Sequence, residues 1–173
     1  VRTINNMEKE EFLTRIKTEL KISKNSERTI TNYLDANTKL LDFCKKGPLE
    51  VIEQDIKNFL AENYSNKSAS STILFLAAIR YAYTNLLNKD PTINIKRPKK
   101  EKKLPVVLTK EEALKLISSI NINKSKLMVS LMYACGLRGS ELTNLKLIDL
   151  SFEEKTGYIR QSKGKKDRIF NIP

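Results

Sequence analysis

Residues 127–150 read LMVSLMYACGLRGSELTNLKLIDL, and the fold turns on how this stretch is divided. Leu127, Met128, Leu131 and Met132 recur at three- and four-residue spacing, which predicts a helix with one buried face. Gly136 follows as a stop, because glycine takes a positive φ without steric cost. A second apolar rhythm through Leu142, Leu145 and Leu147 predicts another helix, with Ser140 as a candidate cap. Arg138 then stands on a tight turn between two apolar helices. Its planar fork of donors suits one oxyanion group, either a carboxylate or a phosphate. A pair with Glu141 that only ties the turn together explains the arginine equally well from this stretch alone.

Downstream the period changes from helical to alternating. Residues 157–161 and 168–172 predict two short strands around the loop Ser162-Lys163-Gly164-Lys165-Lys166-Asp167. Such a ribbon with a cationic tip can press Lys163 and Lys166 against a groove or a phosphate. The loop is not a nucleotide-binding P-loop, since the leading glycine and the hydroxyl residue after the lysine are both missing. Upstream, Thr109-Lys110-Glu111-Glu112 is a capping box that opens a helix over 113–120.

Residues 96–105, KRPKKEKKLP, mark a boundary: six of the first eight are Lys or Arg, and two prolines disfavour helix. Before it, four helices follow from apolar spacing and stop signals. The first spans 8–21, with Phe12, Leu13, Ile16 and Leu20 on one face and Asn6 as a possible cap. The second opens at Ser26, carries Ile30, Tyr33, Leu34, Asn37, Leu40, Leu41 and Cys44 on one stripe, and ends at Gly47-Pro48. The third spans 51–64 through Ile52, Ile56, Phe59 and Leu60. The fourth spans 72–88 through Ile73, Leu76, Ala77, Arg80, Tyr83, Leu86 and Leu87, and Asp90-Pro91 closes it. Short connections between four helices imply an all-α unit. The stretch before the fourth helix, with Ser68, Ser70 and Ser71, offers backbone N–H groups to a phosphate; ordinary serine capping accounts for it more simply.

The chain has 173 residues, 40% hydrophobic and 30% charged, enough for one ordinary domain or two small ones with a core. No apolar run has the length of a membrane span, and residues 1–12 lack the apolar core of a secretory signal. Cys44 and Cys135 lie in apolar helix patterns and read as buried, reduced thiols. There is no histidine, which removes histidine-ligated metal sites and imidazole bases from these residues. The net charge of +12 is uneven: residues 1–95 contribute +2 and residues 96–173 contribute +10. That asymmetry points to a polyanion, most often nucleic acid.

The order of these features carries more than any one of them. A four-helix unit, a basic linker ending in Leu-Pro, the helix LTKEEALKLI, the motif ACGLRGSEL and the hairpin IRQSKGKKDRIFNIP together resemble the tyrosine site-specific recombinases, and most of all their Xer and phage-integrase branch. The resemblance extends over nearly the whole chain. It implies a mainly α fold. Residues 1–95 would form an N-terminal four-helix core-binding (SAM-like) domain, 96–105 the basic interdomain linker, and 106–173 a partial α+β catalytic domain with a small antiparallel hairpin. Arg138 matches the family's first catalytic arginine, which grips the scissile phosphate. Lys163 matches the hairpin lysine that protonates the departing 5′-oxygen. Glu141 matches the acidic residue that supports the arginine. Gly139 replaces the branched apolar residue usual after that arginine, and the tail FNIP is one residue longer than the common pattern.

The same resemblance implies double-stranded DNA as partner. The expected contacts are Lys67, Ser68, Ser70 and Arg80 in the helical domain, Lys96, Arg97, Lys99, Lys100, Lys102 and Lys103 in the linker, and Lys165, Lys166 and Arg168 on the hairpin. It implies four copies on two DNA sites for the full-length enzyme, no ATP or obligatory metal, no membrane, and a cytoplasmic, nucleoid-associated location. Family members also carry a His-x-x-Arg helix and a later nucleophilic tyrosine. The first cannot occur without histidine, and Tyr33, Tyr64, Tyr81, Tyr83, Tyr133 and Tyr158 all precede the place where the nucleophile would lie. The expectation is a piece of a longer enzyme that binds DNA without cutting it. A non-catalytic duplex-binding module on the same scaffold is the alternative, with a generic RNA-binding protein further off.

Overall fold

In the computed structural model the structure describes residues 7–100, 104–160 and 167–173. Helix α1 (Lys9–Ile22) buries Phe12, Ile16 and Leu20, the i, i+4, i+8 face read from sequence. Its N-cap is Glu8, without a side-chain cap, and Asn6 lies outside the described residues. Helix α2 (Glu27–Cys44) starts at Ser26, whose Oγ accepts a hydrogen bond from the Thr29 N–H at 3.2 Å. A 3-10 turn, Pro48–Glu50, leads to α3 (Glu53–Asn63). The Ile52 N–H that precedes α3 donates to Asp55, which also pairs with Lys46 at 2.8 Å.

Helix α4 (Ala69–Leu87) begins three residues before the start expected from sequence, because Ser68 rather than a later hydroxyl is the cap, accepting from Ser71 N–H. Its buried face also differs from the one predicted: Phe75, Leu76, Ala78, Ile79, Ala82 and Tyr83 point inward, while Arg80 is exposed. The near-continuous apolar run ILFLAAI is compatible with several faces, so spacing alone could not choose among them. Phe75 stacks on Phe59 with centroids 4.9 Å apart, and Phe12 meets Tyr83 edge to face at 5.2 Å. Lys89 ties the end of α4 to the 3-10 turn by donating to the carbonyls of Leu49 and Val51. These four helices and their shared core belong to one compact unit, Val1–Lys103.

The second unit, Leu104–Pro173, has a smaller core. Helix α5 (Lys110–Ser118) is opened by the predicted capping box: Thr109 Oγ1 accepts from Glu112 N–H, and Glu112 Oε2 accepts from Thr109 N–H at 2.8 Å. Helix α6 (Asn123–Cys135) ends at Gly136 in the left-handed region, φ +61°. None of its residues is fully buried. Met128 and Leu131 pack partly on the core, while Leu127 and Met132 are exposed, so the expected buried face is realised in only half of its residues. The reason is the size of the cluster it meets, four buried residues: Leu137, Leu142, Ile159 and Phe170.

The helix after the turn is also shorter than the leucine rhythm implied. Helix α7 (Gly139–Asn144) has six residues, and a 3-10 turn, Leu147–Asp149, follows it. Leu147 is exposed, and Ser140 sits inside the first turn of α7 rather than capping it. Among the described residues three strands replace the expected two: β1 (Leu150–Ser151), β2 (Thr156–Ile159) and β3 (Arg168–Asn171), antiparallel in that order. Gly157 lies opposite Phe170, and a Cβ at Gly157 would collide with that ring, so glycine permits the close approach. Elsewhere the chain reaches positive φ without glycine, at Lys24, Lys45, Asn88 and Lys155.

Candidate nucleic-acid interface

Gly136 turns the chain out of α6, and Arg138 then occupies the N-cap position of α7 with extended backbone. Glu141, third in that helix, reaches back to the start of the turn. Its Oε2 accepts from the Arg138 backbone N–H at 2.9 Å and its Oε1 from Arg138 Nη1 at 2.7 Å. A third donor comes from the sheet: Arg168 Nη2 gives 2.8 Å to Glu141 Oε2 and 3.1 Å to the carbonyl of Gly136. One buried carboxylate, 4% exposed, thus caps the start of α7 and pairs with two guanidinium groups. Arg138 remains 60% exposed despite the pair. The two readings of Arg138 offered by the sequence therefore coexist, since it is tied to Glu141 and still reachable.

A second clamp of the same design was not foreseen. Asp149 is third in the turn that starts after Lys146, and its Oδ2 accepts from the Lys146 N–H at 3.2 Å. Its Oδ1 takes the Nε–H of Arg160 at 2.8 Å. Its sequence signal was the recurrence of an acid three residues past a helix break, as Arg138 to Glu141 and then Lys146 to Asp149. The basic partners, Arg160 and Arg168, could not be assigned that way, because they come from the two strand ends that flank residues 161–166.

The remaining candidates fall out as follows. Lys67, Ser68 and Ser70 are exposed at the start of α4, with Ser68 Oγ engaged in capping. Arg80 is exposed and paired through Nε with Asp90 at 3.1 Å. Lys96, Arg97, Lys99 and Lys100 are exposed beyond the helical unit's core. Arg168 faces protein acceptors with one terminal nitrogen and is one-third exposed, so its main visible work is to hold Glu141. Lys102, Lys103, Lys163, Lys165 and Lys166 lie outside the described residues. Cys44 and Cys135 carry no disulfide, and burial pushes both thiols up. Among the described residues no cluster of acidic and thiol groups could hold a metal, and no helix is long and apolar enough to cross a membrane.

Two family models match the chain. The phage integrase family covers residues 106–173, and the phage integrase N-terminal SAM-like domain covers 12–93. The chain belongs to the phage integrase family of tyrosine recombinases. Among curated relatives, tyrosine recombinase XerA of Pyrococcus horikoshii is 36% identical over 165 residues, covering 94% of this chain and 55% of the relative. XerA of Pyrococcus furiosus is 38% identical over 170 residues, covering 95% and 56%. The chain thus spans about half the length of the curated relatives it matches. A solved lambda integrase tetramer bound to a Holliday junction covers the whole chain and 52% of its own, with a TM-score of 0.79 at 19% identity. That likeness supports the mainly α fold, and the two family models give its SAM-like N-terminal domain and the start of the integrase catalytic domain.

Proposed function

We propose that these residues are the DNA-holding part of a tyrosine site-specific recombinase that breaks and rejoins duplex DNA through a 3′-phosphotyrosyl intermediate. In this reading residues 1–95 are the core-binding domain, 96–105 the basic linker, and 106–173 the first part of the catalytic domain. The observation that carries it is the clamp at Arg138: an exposed guanidinium whose anchor is a buried, doubly paired carboxylate. A guanidinium held in advance loses little freedom when it meets a phosphate, and its donors stay aimed as negative charge grows on the non-bridging oxygens. Removing one such preorganised donor costs roughly 10²–10³ in rate in comparable sites. Lys163 is assigned the proton for the departing 5′-oxygen, and Glu141 the positioning of Arg138.

The cations of the linker and hairpin supply sequence-independent attraction, since each neutralised phosphate releases a counterion. Duplex DNA is the partner, and the full-length enzyme works as four copies on two sites without ATP or an obligatory metal, in the cytoplasm with the nucleoid. With no histidine among its 173 residues, the chain by itself holds DNA and does not cut it. The same absence favours a second reading, a non-catalytic duplex-binding module on the recombinase scaffold.

Two measurements on the purified 173-residue chain test this. Titration of labelled duplex and single-stranded DNA should show salt-dependent binding with preference for duplex. Incubation with a nicked duplex that traps covalent products should leave the DNA free of protein. Equal or better binding of single strands would remove the recombinase reading, and a phosphotyrosyl adduct would overturn the claim of inactivity.

A further inference from the structure

We infer that Arg160 is a second phosphate-binding residue of the catalytic unit, presented to DNA by Asp149 as Arg138 is presented by Glu141. The two clamps share a design. Each acid is third after a helix break, and each spends one oxygen on the backbone N–H at the break. Each gives its other oxygen to an arginine, at 2.7 and 2.8 Å. The acids are 4% and 6% exposed, whereas Arg138 and Arg160 are 60% and 69% exposed.

The Lys146 N–H already meets one oxygen of the buried Asp149, whose charge still needs a positive partner. A fully covered lysine would serve that need. Instead the donor is the Nε of a long, mostly exposed guanidinium, whose terminal Nη1 and Nη2 are not used by the clamp. Those two nitrogens can reach the paired oxygens of a phosphodiester in the bidentate manner that guanidinium favours. The position adds to the case. Arg160 follows Ile159, which lies opposite Arg168 in the sheet, and the next six residues in sequence include Lys163, Lys165 and Lys166.

The inference rests on the DNA-binding reading above, and the test separates the two. Binding of a labelled duplex by the full 173-residue chain is measured across a salt series for wild type, Arg160→Gln, Arg160→Lys and Asp149→Asn, with circular dichroism to verify folding. For Arg160→Gln the affinity should fall by about 3–10-fold, equally on unrelated sequences, and the log–log salt slope should fall by about 0.9. Arg160→Lys keeps the charge but not the fork, so it should weaken binding while leaving the slope near that of wild type. Asp149→Asn should do the same by loosening the anchor. Wild-type affinity and slope in both Arg160 variants, while wild type binds duplex, would overturn this assignment alone. Failure of wild type to bind duplex at low salt would overturn both readings. Should Arg160→Gln not fold, undiminished affinity in Arg160→Lys is the refuting result.

Discussion

Replacing Glu141 by glutamine tests the clamp at its centre, and the geometry dictates how the substitution should behave. Among its bonds to described residues, the carboxylate accepts from Arg138 Nη1 on one oxygen and from Arg138 N and Arg168 Nη2 on the other. A glutamine has one acceptor and two donors in the same volume. With its oxygen at the doubly used position it keeps the helix cap and Arg168, and turns an N–H₂ toward Arg138. The reverse orientation would set donors against two partners, so the first should dominate. The predicted loss is therefore selective: Arg138 loses its side-chain bond to Glu141 while α7 remains capped. Hydrogen bonds to charged groups contribute about 1.5–3 kcal/mol when shielded. Arg138 is 60% exposed, so solvent screening brings its share below about 1 kcal/mol. Weakening the bond to the half-buried Arg168 from charged to neutral costs about 1 kcal/mol more. The sum is at most about 2 kcal/mol for Glu141→Gln, against about 3 for Glu141→Ala, which also loses the helix cap. Amide hydrogen exchange read on peptides from residues 136–145 and 168–173 localises the change to this unit. Equal exchange in Glu141→Gln and wild type, or equal loss in the glutamine and alanine variants, would refute the reasoning.

Three further outcomes follow from other positions. Gly136→Ala has open space for its Cβ but must hold φ +61°, so a loss of about 1–2 kcal/mol should appear in urea denaturation, with Asn costing less than Ala. Gly157→Ala drives a methyl into the Phe170 ring, and the tertiary packing of the second unit should be lost before its helices, as seen by Phe170 side-chain resonances against far-ultraviolet circular dichroism. Burial pushes the Tyr83 hydroxyl far above its ordinary range, and that hydroxyl has no hydrogen-bond partner among the described residues. The folded state therefore keeps a proton that the unfolded chain loses near pH 10. The stability involved is present below pH 10 and declines as the pH rises past it. Tyr83→Phe should leave stability at pH 7 unchanged or raise it by up to about 1 kcal/mol, and should flatten the alkaline decline in a pH series of thermal melts.

Much of the helical unit was legible because its signals are local. Ser26 caps as its residue type predicts, and Phe12, Ile16 and Leu20 bury at regular spacing. The α4 face was not legible, since every residue of ILFLAAI is apolar and tertiary neighbours such as Phe12 and Phe59 decide which side turns inward. In the second unit the sequence identified Arg138 and Glu141 as a pair. It could not supply Arg168, whose approach to Glu141 spans 27 residues and depends on the register that sets Ile159 against Arg168. Leu147 misled for a related reason: a leucine rhythm signals a helix face only where something stands ready to cover it, and here the chain breaks into a 3-10 turn with Leu147 in solvent.

The left-handed corners have a consequence for engineering. This chain uses only five glycines, and among the described residues three of the four non-glycine positions at positive φ are lysines: Lys24, Lys45 and Lys155. Each holds a backbone shape that glycine adopts with less strain, so each keeps in reserve about 0.5–1 kcal/mol that Lys→Gly would release. Using that reserve would leave the packed interior untouched and remove three positive charges. Hardening these corners and keeping the positive charge of the surface are thus competing designs.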